Sequence, residues 1–80
     1  MTVTIHLQLY SILREKLPPE SRGRADLSLH DGATLTELLD RLDISRNNIV
    51  ISVNEVHEPD RSRVLADGDH IRMFSAVGGG

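Results

Sequence analysis

Only one stretch of this sequence carries a full helical period. Leu35, Leu38, Leu39 and Leu42 recur along one stripe, and Glu37 and Arg41 stand four apart on the outside as a predicted ion pair. Thr34-Leu35-Thr36-Glu37 has the form of a capping box, in which the Thr34 hydroxyl accepts an orphan amide and Glu37 reaches back to the cap's own amide. An apolar stripe must be buried against another element, so one helix laid across one sheet is the simplest solution for the chain. A second full helix is not available. The loop from Pro59 to Ala66 has no apolar period, which sets aside architectures that need two helices.

The remaining apolar residues recur at period two. Val3, Ile5, Leu7 and Leu9 lie on one face of a strand spanning residues 2 to 10, and Ala25, Leu27 and Leu29 alternate with Asp26, Ser28 and His30 up to the turn pair Asp31-Gly32. Between these strands, Leu13 and Leu17 are four apart and Pro18-Pro19 blocks continuation, which predicts one or two helical turns followed by a polar loop from 19 to 24. Residues 48 to 53 form a β-branched strand, Asn54 marks a turn, and Val56 sits in a short strand halted by Pro59. Leu65 is expected to plug the core from an irregular loop. Asp67-Gly68-Asp69 is a turn into a last strand over 70 to 77. The predicted fold is α+β: a mixed sheet of four to five strands with one main helix packed across it, a β-grasp or ubiquitin-like roll.

Composition narrows the functions open to such a roll. Its 80 residues suit one domain, predicted over 1 to 77 with 78 to 80 as a flexible glycine tail. The net charge is -3, and protonating all four histidines would raise it only to +1, which argues against nucleic acid and anionic membrane as partners. Absence of cysteine removes disulfides, thiolate metal sites and a cysteine nucleophile, so any sulfur chemistry must use borrowed sulfur. The amino terminus has neither a basic region nor a long apolar run, so a cytoplasmic address is expected. His6, His30, His57 and His70 lack metal-ligand spacing, and no metal is assigned.

Gly78-Gly79-Gly80 is the segment that folding explains least, since it buries no side chain and carries the largest backbone entropy. One reading is a frayed end or trimmed linker. The other starts from Val77: the tail leaves the last strand without a polar spacer and ends as an unbranched thread carrying a carboxylate. Such a thread fits a tunnel that any Cβ would block, which brings Gly80 to an active site owned by another protein. A carboxylate must be activated before anything is joined to it, most simply as an acyl-adenylate. No phosphate-cradling glycine loop leads into a helix here, so the ATP site would belong to the partner and the chain itself binds no cofactor. With Ile71 and Met73 pointing inward, Phe74 points outward beside the tail as a partner anchor, and Arg72 shares its face as a rim contact.

These pieces resemble the MoaD/ThiS group of β-grasp sulfur carriers over essentially the whole chain. The resemblance rests on the first strand followed by Leu13-Arg14-Glu15, on Asp31-Gly32-Ala33-Thr34 leading into the Leu-rich helix, on Val53-Asn54, on Leu65-Ala66-Asp67-Gly68-Asp69, and on the end from Phe74 to Gly80. It implies that an E1-like enzyme adenylates Gly80 with ATP and that sulfur transfer then makes a terminal thiocarboxylate. Within the group the Leu13-Arg14-Glu15 segment is most like the molybdopterin synthase small subunit, implying a molybdopterin pathway, a large subunit as sulfur acceptor, and no activity of the chain alone. Ser75-Ala76 stands where that subunit commonly has two prolines, and Gly78 where it has alanine. Carriage of sulfur for thiamin or another pathway, conjugation to lysines as a ubiquitin-like modifier, and a passive β-grasp interaction module are the alternatives. The hairpin carries Asn54-Glu55 in place of the group's usual Asn-Gly, so a turn looser than type I′ is expected.

Overall fold

In the computed structural model, residues 1–44 and 49–75 are described. Among these residues five strands form one mixed sheet: β1 (Thr2–Leu9), β2 (Arg24–His30), β3 (Ile49–Val53), β4 (Val56–His57) and β5 (His70–Ser75), in the order β2-β1-β5-β3-β4. β1 and β5 run parallel at the centre, and the other neighbours are antiparallel. The helix α1 (Leu35–Leu42) covers one face, as the β-grasp reading expects.

The period-two pattern of β1 becomes its burial pattern. Val3, Ile5, Leu7 and Leu9 are buried on the helix side, joined by Ile51 and Val53 of β3 and Ile71 and Met73 of β5. Leu35, Leu38 and Leu39 of α1 have no exposed surface and close that core, each worth about 2 kcal/mol of transfer free energy. Leu65 enters from the loop, 2% exposed, as its isolated position predicts. The turns between the first two strands are 3₁₀, at Ser11–Lys16 and Pro19–Ser21, with Leu13 buried beneath them.

Three local expectations are corrected. The Thr34 hydroxyl does accept from the Glu37 amide at 3.3 Å, but the Glu37 carboxylate turns to the His30 ring instead of the cap amide. Arg41 donates to the Ser28 carbonyl at 2.8 Å instead of pairing with Glu37, because β2 lies within its reach and offers an outward carbonyl. The hairpin stays tight: Val53 pairs with Val56, and both central residues have positive φ, Asn54 at 53° and Glu55 at 70°. That is type I′ geometry, held here because Asn54 is clamped, donating to the Asp69 carboxylate at 2.9 Å and accepting from the His70 amide at 2.9 Å. Asn48, placed in the third strand by its sequence, and Ala76 and Val77, placed in the last, lie outside the described residues.

Candidate functional site

The site is built on the sheet face that α1 leaves uncovered. Alternation along β5 sends Ile71 and Met73 into the core, so His70, Arg72 and Phe74 face outward, as expected. The parallel register sets Gln8 beside Arg72 and Leu9 beside Met73, and it carries Tyr10, just past β1, to the level of Phe74. The two rings stack with centroids 4.5 Å apart and planes within 3°. Val50 of β3 lies opposite Phe74, and both are 38% exposed. Tyr10, Phe74 and Val50 therefore make an apolar patch at the end of the sheet where β5 leads on toward the tail.

Polar residues fill the rest of the face. Arg72 sits between Gln8 and Ser52, with Glu55 Oε1 at 3.7 Å, an exposed and weak ion pair. His6 stacks on His70 at 4.8 Å between centroids and meets the Asp26 carboxylate through Nδ1 at 2.7 Å. A shallow depression of about 230 Å³ opens between these residues, lined among others by Gln8, Arg24 and Arg72. Where the end of β2 meets α1, the Glu37 carboxylate bonded to the ring of His30 raises the imidazole's pKa, assisted by its contact with the Asp31 carbonyl. Among the described residues no group of three or more His, Cys, Asp or Glu is placed to hold a metal ion. No helix among them is long and apolar enough to cross a membrane.

The structure thus brings Arg72 and Phe74 together on one face, while Gly78, Gly79 and Gly80 lie outside the described residues. Sequence reasoning missed Tyr10 and Val50 as parts of the patch. Tyr10 continues the outward series Thr4, His6, Gln8, but its contact with Phe74 depends on the parallel register, which no local pattern specifies.

A five-stranded sheet of this order with one helix across one face defines a ubiquitin-like β-grasp roll. The ThiS family model matches residues 7–80, and the chain belongs to that family. No curated protein sequence matches the chain. Among solved structures it resembles small archaeal modifier protein 1 of Haloferax volcanii, with 20% identity, a TM-score of 0.72, and 96% of this chain and 99% of that one covered. The putative molybdopterin converting factor, subunit 1, of Pyrococcus furiosus is similar at 17% identity and TM-score 0.72, covering 94% of this chain and 99% of that one. Small archaeal modifier protein 1 of Methanosarcina acetivorans is similar at 19% identity and TM-score 0.71, covering 100% and 99%. At these identities the likeness speaks to the fold.

Proposed function

We propose that the chain is a ubiquitin-like carrier whose Gly80 carboxylate is activated by an E1-like enzyme, with residues 1 to 77 as the folded body and 78 to 80 as the tail. The carboxylate attacks the α-phosphorus of ATP in the partner's site, pyrophosphate leaves, and an acyl-adenylate forms on Gly80. Phe74 and its apolar neighbours seat the sheet on the partner, Arg72 forms a contact at the rim, and the chain contributes a cosubstrate in place of a catalytic group. The reaction belongs in the cytoplasm, where ATP is supplied. The observation that carries this reading is the ThiS family match, which runs through Gly80, on a chain whose central strand has an open outer face.

The activated end then meets a nucleophile. We favour a lysine amine, which displaces AMP, loses a proton and leaves an amide; the likeness to two small archaeal modifier proteins supports this modifier role. A sulfur nucleophile leading to a thiocarboxylate is the second reading, supported by membership of the ThiS family, and molybdopterin synthesis is its narrower form, supported by the likeness to the putative molybdopterin converting factor. The two are separated by mass spectrometry of protein from its own host. Trypsin cutting after Arg72 leaves the remnant Met73 to Gly80 on any modified lysine. Finding that remnant on other proteins supports the modifier, whereas replacement of one terminal oxygen by sulfur without any remnant supports the carrier alone. Finding neither, with partners still bound by a chain lacking its tail, returns the passive interaction module.

A further inference from the structure

The longer edge of the sheet is β2, whereas the opposite edge, β4, has only two residues. Facing residues Met1 and Asp31, and Leu9 and Gly23, share backbone bonds, with Asp31 N–H donating to Met1 at 3.0 Å and Leu9 N–H to Gly23 at 2.7 Å. Odd-numbered residues of β2 therefore turn their peptide groups toward β1, and Arg24, Asp26, Ser28 and His30 turn theirs away from the sheet. The Ser28 carbonyl is already taken by Arg41, and the His30 carbonyl accepts from the Ala33 amide at 3.1 Å. Among the described residues, the amide and carbonyl of both Arg24 and Asp26 are left open. An open edge is a template for another strand.

We propose that this edge pairs with β2 of a second copy, antiparallel about a twofold axis at Ala25. The charges select both the occupant and the register. With the axis at Ala25, Arg24 faces Asp26 of the second copy and Asp26 faces its Arg24, so each of the two open residues meets the opposite charge while exchanging backbone hydrogen bonds. Moving the axis to Asp26 or to Arg24 sets like charges face to face. Moving it to Leu27 requires the Ser28 carbonyl, which Arg41 holds. Ala25 at the axis is small enough for the close approach of a non-hydrogen-bonded pair, and Leu27, half-buried beside α1, falls opposite Gly23, which has no side chain to meet it. The axis lies at the edge strand, so the patch of Phe74, Tyr10 and Val50 on both copies stays open, and the pairing does not depend on the function proposed for the tail.

Two such residue pairs make a weak dimer, which sedimentation equilibrium detects across about a hundredfold range of concentration. Arg24→Asp or Asp26→Arg alone puts like charges opposite at both symmetry-related positions and weakens association by about tenfold or more. The double variant Arg24→Asp with Asp26→Arg restores it, although it lacks the His6 contact just as Asp26→Arg does, so recovery reports the pairing itself. Amide exchange at Arg24 and Asp26 slows as the concentration of the unaltered chain rises. A chain that stays monomeric throughout, a dimer indifferent to the single reversals, or a double variant no better than the singles overturns the proposal; in the first case the charges of β2 serve only to keep other strands away.

Discussion

On β5, Ile71 and Met73 have no exposed surface, while Arg72 and Phe74 alternate with them on the face open to solvent. β1 and the residue that follows it repeat the contrast, with Leu7 and Leu9 inside and Gln8 and Tyr10 outside. The same backbone thus supports two surfaces with different demands. The inner one is packed with leucine, isoleucine, valine and Met73, whereas the outer one carries an aromatic pair, an arginine and two histidines. A residue's surroundings here therefore follow its parity along the strand more closely than its position in the chain.

The contrast is broken most severely from the inside. Leu38→Ala removes a side chain with no exposed surface, and the cavity should lower stability by about 3 kcal/mol in urea unfolding. For a chain of this size that is a large share of the whole, so the variant is expected to be partly unfolded at ambient temperature. Phe74→Ala tests the outer face. It forfeits the stack on Tyr10, about 1 kcal/mol of stability, yet should weaken binding of an E1-like partner by about tenfold or more in calorimetry. If Phe74→Ala costs as much stability as Leu38→Ala, the two faces do not divide the work as described.

Glu55 is a smaller case of the same division. Its φ of 70° is unfavourable for any residue with a Cβ, and its exposed ion pair with Arg72 at 3.7 Å offsets little of that cost. Glu55→Gly should therefore raise stability by about 1 kcal/mol in the same unfolding measurement. The smallest effect concerns His30, which sits at the outer end of β2 beside Glu37. Its pKa is raised by that carboxylate, so the folded state holds the proton more tightly than the unfolded chain. The resulting stabilisation is complete below the ordinary imidazole range and disappears as pH rises through the raised value. His30→Gln should be less stable than the unaltered chain at about pH 5.5 and equal to it at about pH 8.5; a difference that grows toward alkaline pH would show that the pairing has been misread.

Much of this was legible in the residues themselves. The period-two runs of β1 and β2, the capping Thr34, and the stop at Pro18-Pro19 are local signals, and local geometry honours them. Phe74 was legible as an outward residue because Ile71 and Met73 mark the inner parity. The contacts that went unread are those made between elements. Glu37 was assigned to Arg41 four residues away, but β2 supplies nearer partners to both. The turn at Asn54-Glu55 was expected to loosen because glutamate resists positive φ, and the Asn54 clamp to Asp69 and His70, distant in the chain, holds it tight. Tyr10 and Val50 join Phe74 only through strand register, which adjacent residues do not encode.

The proposed activation of Gly80 in a partner's site, with the open sheet face as the docking surface, is tested by ATP-dependent adenylation. The chain is incubated with ATP and the E1-like enzyme of its own host, and pyrophosphate exchange is followed for the full chain, for a chain lacking Gly80, and for Phe74→Ala. Exchange is expected with the full chain, none without Gly80 although the fold is unchanged, and a raised half-saturating concentration for Phe74→Ala. Equal exchange with and without Gly80 would contradict it.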